Sequence, residues 1–202
     1  MSNEIRRQPV VVVGASWGGV EAIIKLLSLV PDDFPGTVVL VQHRHNDAHA
    51  GFERSLRRYT TLPVREVEDK EPMLPASIYL APANYHLLLE RDWTFSLCVS
   101  PPVFYSRPSI DVTMQSIARI VGDRVIGVLL TGANEDGTAG LAAIQRAGGY
   151  TVVQDPEEAA SGVMPRNAIE QKVADRVMKL KEIIPFIVEL LRKGYATHHG
   201  RR

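Results

Sequence analysis

Residues 9 to 19 read PVVVVGASWGG: four consecutive valines stop at a cluster of glycines, and an apolar stretch at helical spacing follows from Val20 to Leu29. A continuous β-branched run of this kind predicts a strand buried on both faces, which is the habit of a parallel sheet covered by helices. The pattern recurs in TVVLVQH (37 to 43) and VIGVLLT (125 to 131). Helical stretches between such strands define an α/β fold, a doubly wound, mostly parallel, Rossmann-like sheet.

The expected element order is strand 9 to 13, helix 18 to 30, strand 37 to 43, a helix near 50 to 59, and short strands near 64 to 67 and 78 to 81. HLLLERDWTFSLCV (86 to 99) reads as a β-hairpin insertion turning near Arg91 and Asp92. Helix 111 to 122, strand 125 to 131, helix 138 to 147 and strand 150 to 154 follow. EIIPFIVELLRK supplies a last amphipathic helix, with Pro185 expected in its first turn, where a missing N–H is tolerated. With 202 residues and 45% hydrophobic content, the chain reads as one domain, a core of about 9 to 192 and a flexible tail from 193 to 202.

The chemistry gathers where the strands end. Gly14, Ser16 and Gly18 form a G-x-S-x-G pattern, a sharp strand-to-helix turn that exposes a hydroxyl beside unpaired helix N–H groups. The second strand ends in Gln42 and His43, and the third opens into GANEDGTAG, with Glu135 and Asp136 on a Gly-bounded turn. In open α/β sheets the carboxyl ends of the strands form the ligand crevice. A serine, a histidine and one of the two carboxylates can therefore meet there as nucleophile, base and imidazole partner. Taken alone, GASWGG also suits an ordinary Gly-rich turn, and an Asp in such a turn is common turn chemistry. A dinucleotide fingerprint fits less well, because Ser16 holds its second glycine position and no acid ends the second strand.

Charge and cysteine content narrow the classes. Lys and Arg number 23, as do Asp and Glu, so there is no electrostatic footprint for nucleic acid or an anionic membrane surface. No apolar run reaches the length of a membrane span and no signal-peptide pattern opens the chain, which predicts a cytoplasmic protein without membrane insertion. The single cysteine, Cys98, excludes an intramolecular disulfide and reads as a buried structural thiol.

GASWGG, VQH and LLTGANEDG, in this order, resemble the catalytic domain of the CheB protein-glutamate methylesterases of bacterial chemotaxis. The resemblance continues through IYLAPANYHLLLE (78 to 90), RPSIDVTM (107 to 114), Gln154 with Asp155, and GVMPRNAI (162 to 169). It implies a catalytic triad of Ser16, His43 and Asp136, and an oxyanion hole that includes the backbone N–H of Ala133; the N–H of Trp17 is a further candidate donor. It further implies hydrolysis of glutamate γ-methyl esters on the cytoplasmic domain of methylated chemoreceptors, with glutamine deamidation as related acyl chemistry, and neither metal nor cofactor. Family members typically carry an N-terminal receiver domain. The nucleophile strand here begins within about ten residues of Met1, so no receiver is expected and regulation would fall to a separate protein. Four positions depart from the family pattern: Trp17 where threonine is usual, Arg44 after His43, and Ala133 with Asn134 in place of Met-Gly.

Three rival readings remain at this level. HRHNDAH places His43, His45, Asp47 and His49 close to the pattern of metal-dependent hydrolases, although the last histidine falls one residue late and only His86 and the tail histidines remain as further ligands. A non-catalytic CheB-like scaffold for protein binding is opposed by the intact Ser, His and Asp. An ordinary α/β-hydrolase would order its triad Ser, acid, His, whereas here the histidine precedes the acid.

Overall fold

The computed structural model describes residues 8–44 and 51–193. Seven strands form one sheet: β1 (Val10–Ala15), β2 (Thr37–Gln42), β3 (Val64–Glu66), β4 (Ile78–Leu80), β7 (Val125–Leu129), β8 (Tyr150–Gln154) and β9 (Arg176–Met178). Their order is β3-β4-β2-β1-β7-β8-β9 and every adjacent pair is parallel. Two further strands, β5 (His86–Leu89) and β6 (Phe95–Cys98), make the antiparallel hairpin outside this sheet. The helices are α1 (Gly19–Leu27), α2 (Phe52–Leu56), α3 (Ile110–Val121), α4 (Thr138–Arg146), α5 (Val163–Glu170) and α6 (Leu180–Arg192).

The valine run explains the double layering. Side chains alternate along a strand, so Val11 and Val13 join Ile23 and Leu26 of α1 and Ile183 and Ile187 of α6 on one face. Val10 and Val12 join Met114 and Ile117 of α3, Leu141 and Ile144 of α4, and Leu87 and Phe95 of the hairpin on the other. All four valines are fully buried, and each such side chain stabilises the fold by about 1.5–3 kcal/mol. A strand polar on one face would leave one of these two helix layers without a partner.

Several expectations need correction. The last helix begins at Leu180, because the Glu182 carboxylate reaches back to the Lys179 N–H (3.3 Å) and caps it there. Pro185 therefore sits in the second turn, on the exposed face, where water can take the carbonyl that its missing N–H leaves free. Helix α5 and strand β9 were not anticipated: α5 carries Pro165 in its first turn, and β9 is a three-residue edge strand too short to show a period. Cys98 is half-buried, not buried. Its Sγ accepts a hydrogen bond from the Ser100 N–H (3.4 Å), and the Ser100 side chain, followed by this N–H, lowers the thiol pKa. No helix among the described residues is long and apolar enough to cross a membrane. His45, Asp47, His49 and the tail from 194 lie outside the described residues.

Candidate active site

Strand order decides which residues meet. β2, β1 and β7 are neighbours, and β1 is where the chain reverses its direction of winding, so three consecutive strand ends open onto one crevice. Pairing runs to the last residue before the chemistry: the Ser16 N–H donates to the Thr131 carbonyl (2.9 Å) and the His43 N–H to the Ala15 carbonyl (3.0 Å). Ser16 and His43 thus leave the sheet from fixed positions. Their loops have little freedom to set.

The turn that carries Ser16 depends on two glycines. Gly18 caps α1 with φ 74°, and a Cβ there would lie 2.4 Å from the Ala160 Cβ; one on Gly19 would lie 2.1 Å from the Gln42 Oε1. Gln42 earns its place below the turn by donating from Nε2 to the carbonyls of both Ser16 and His43 (2.9 Å each). Thr131 braces the other side. Its hydroxyl donates to the Trp17 carbonyl (2.8 Å) and accepts the Ser161 N–H (2.9 Å), while its own N–H is held by the Gln154 Oε1 (2.9 Å).

Ser16, His43 and Asp136 form one hydrogen-bonded chain. The His43 Nδ1 lies 3.1 Å from the Ser16 Oγ, and the His43 Nε2 lies 2.7 Å from the Asp136 Oδ2. A carboxylate can only accept, so the ring proton sits on Nε2 and the Nδ1 lone pair faces the hydroxyl. Glu135, the rival carboxylate, is exposed, whereas Asp136 is fully buried.

Asp136 is bedded on the N-terminus of α3. Its Oδ1 accepts from the Ser109 hydroxyl (3.0 Å) and the Asp111 N–H (2.9 Å); its Oδ2 accepts from the Ile110 N–H (2.7 Å) in addition to His43. Burial pushes its pKa up, but the His43 hydrogen bond and these helix N–H groups outweigh burial and hold it below the usual carboxylate value. At neutral pH it is therefore an ionised acceptor for the His43 ring N–H.

A second carboxylate returns the favour. The Asp111 Oδ1 accepts the N–H groups of Gly137 (2.9 Å) and Gly140 (2.6 Å) at the start of α4. Each helix is thus capped by an acid associated with the other. Burial, with the charge of Asp136 next in size, pushes the Asp111 pKa up to about 6 despite those two N–H groups. His86 supports the same bed from behind: its Nδ1 accepts the Ser109 N–H and its Nε2 donates to the Pro101 carbonyl, both at 3.1 Å. Sequence reasoning did not single out Ser109 or Asp111, and it weighed His86 only as a metal ligand. Ser-Ile-Asp before an apolar period does signal a helix start, but it does not say which distant carboxylate that helix will hold.

The crevice is a cleft of about 1000 Å³, with Ser16, Trp17, His43, Arg107, Ala133 and Asn134 among its walls. Trp17 is 71% exposed, its indole directed into solvent at the cleft and not into the core. Among the described residues the backbone N–H groups of Trp17 and Ala133 have no protein acceptor, as donors for an oxyanion require. Arg44 is no free cation. It is ion-paired with Glu66, donates to the Ala81 carbonyl (2.8 Å) and lies over the Phe52 ring.

Fold and geometry together define a class: a parallel α/β protein with a Ser–His–Asp hydrogen-bond chain laid across three adjacent strand ends, the arrangement of a serine hydrolase. The sequence matches the CheB methylesterase family over residues 11–187, and the chain belongs to that family. It is 41% identical over 180 residues to a Leptospira interrogans protein whose name provisionally assigns both protein-glutamate methylesterase and protein-glutamine glutaminase activity, covering 89% of this chain and 93% of that one. The protein-glutamate methylesterase/protein-glutamine glutaminase of Bordetella parapertussis is 41% identical over 195 residues, 95% of this chain but 55% of its own length. The chain thus spans nearly all of the first relative and about half of the second. Among solved structures, the catalytic domain of Thermotoga maritima CheB methylesterase superposes with a TM-score of 0.87 at 32% identity, covering 91% of this chain and 98% of that one.

Proposed function

We propose that the chain hydrolyses γ-methyl esters of glutamyl side chains on methylated chemoreceptor cytoplasmic domains. The observation that carries this reading is the unbroken Ser16–His43–Asp136 chain, with contacts of 3.1 and 2.7 Å, in a member of the CheB methylesterase family. The Ser16 Oγ attacks the ester carbonyl while the His43 Nδ1 takes its proton, and the Asp136 carboxylate stabilises the imidazolium through Nε2–H. The N–H groups of Ala133 and Trp17 hold the oxyanion. Collapse breaks the C–OCH₃ bond; the Nδ1 proton goes to the departing methoxide, and methanol leaves an acyl-serine. Water, deprotonated by the same nitrogen, then attacks the acyl carbon, releasing glutamate and restoring the Ser16 hydroxyl. Glutamine deamidation follows the same two steps with ammonia as the first leaving group, in keeping with the paired activities in the relatives' names.

His43 argues against the metal reading, because both ring nitrogens are committed, one to Ser16 and one to Asp136. Incubation with a methylated receptor domain, reading methanol release, is the direct test. Ser16→Ala is expected to lose several orders of magnitude of rate, roughly the full contribution of a triad, while keeping the fold. Near wild-type turnover by that variant would overturn the mechanism.

A further inference from the structure

One wall of the cleft ends in a turn that breaks a local rule. Val103 and Ser106 exchange both backbone hydrogen bonds (3.1 and 2.8 Å), which closes a two-residue turn on Phe104 and Tyr105. Both central residues are left-handed, with φ 46° and 61°. Asn and Gly enter that region readily, and bulky aromatic residues do so only at a cost. Burial does not repay it: Tyr105 is 101% exposed and Phe104 43%. The base of the turn is stiff, because the Arg107 Nη1 donates to the carbonyls of Val99 (2.9 Å) and Ser100 (3.1 Å) and the Arg107 carbonyl accepts the Asn84 N–H (3.0 Å). Two solvent-facing aromatic rings are therefore held out on a rigid support, and Tyr105 borders the same cleft as Ser16 and His43.

We propose that Phe104 and Tyr105 form a docking tip that grips the polypeptide flanking the reacting glutamate, so that the enzyme selects a protein and not merely an ester. This rests on the methylesterase reading above. A glutamyl methyl ester side chain fills only a small part of a cleft of about 1000 Å³, and the remainder is continuous with the tip. Exposed aromatic side chains on a pre-ordered loop lose little freedom on binding and suit apolar side chains of a partner, the usual composition of binding hot spots.

The test is the double variant Phe104→Asn/Tyr105→Gly, which installs the residue pair this turn geometry favours and so removes the rings while keeping the turn. Two substrates are compared: a methylated chemoreceptor cytoplasmic domain, read by methanol release, and p-nitrophenyl acetate. The expected result is a loss of at least ~10-fold in kcat/KM on the receptor, carried by KM, with the small-ester rate held within about twofold and thermal stability equal or higher. An unchanged receptor rate, or an equal fall on both substrates, overturns the docking tip while leaving the methylesterase reading intact. A wild-type protein that cleaves the small ester but releases no methanol from the receptor overturns both.

Discussion

Replacing Asp111 by Asn should make the protein more stable at neutral pH and less active. The Asn Oδ1 can accept the Gly137 and Gly140 N–H groups as the carboxyl does, so the α4 cap survives. What disappears is a buried titration. Folding raises the Asp111 pKa from 3.8 to about 6, so between those values the native state binds more protons than the unfolded chain. Stability contributed by this group is therefore present below about pH 4 and is lost as pH rises through about 6. At about 1.4 kcal/mol per unit, the loss is roughly 3 kcal/mol, which the non-titrating variant escapes. For a chain of this size that is a change of about 6–12 °C in the Tm difference between variant and wild type. Thermal unfolding of both proteins from about pH 3 to about pH 8 measures it. The Asn variant should gain on the wild type between about pH 4 and about pH 6 and hold a constant lead above about pH 7. Parallel Tm curves, or a variant that falls behind as pH rises, would refute the reasoning. Activity should move the other way. A negative charge beside Asp136 helps stabilise the His43 imidazolium, and its removal at an effective dielectric of about 20 should cost about 1–2 kcal/mol, or roughly tenfold in kcat.

Two further outcomes can be checked with the same assays. His43→Ala should abolish methanol release while His45→Ala and His49→Ala remain mild, and chelator-sensitive activity that requires all three would restore the metal reading. Trp17→Thr should reorder the preference among different receptor domains, because the indole stands exposed in the cleft and burying it against a substrate is worth about 1–3 kcal/mol; an unchanged ranking across a panel would show that the substrate does not reach it.

The strands and the three polar residues at their ends were legible because each is local. Four valines against a glycine cluster can hardly be anything but a buried parallel strand, and the turn that follows is written in Gly18 and Gly19. The support of Asp136 was not legible, because it comes from a helix start about 26 positions away in sequence, at Ile110. Nor does sequence spacing tell which imidazole nitrogen faces the serine. That follows from the packing of β2 beside β1 and from the position of the carboxylate after β7. Pro185 misled for a related reason: proline marks a first turn well only when the capping residue is known, and the reach of Glu182 back to Lys179 moved the start.

The burial of charge separates function from scaffolding. Asp111 and Asp136 are the only carboxylates among the described buried residues, and they are neighbours, with Asp136 in contact with His43. If their purpose were to cap two helices, neutral Ser or Asn would serve at less desolvation cost, as Ser109 does for the Val112 N–H in the same turn. Two adjacent acids instead burden the fold with desolvation and mutual repulsion, which is why one pKa rises while the other, facing the imidazole, falls. Such an arrangement has a use when a positive charge must appear between a serine and a carboxylate and vanish again within each turnover. A gain of stability together with a loss of rate in Asp111→Asn is the signature that separates this account from a purely structural role, in which both would fall together.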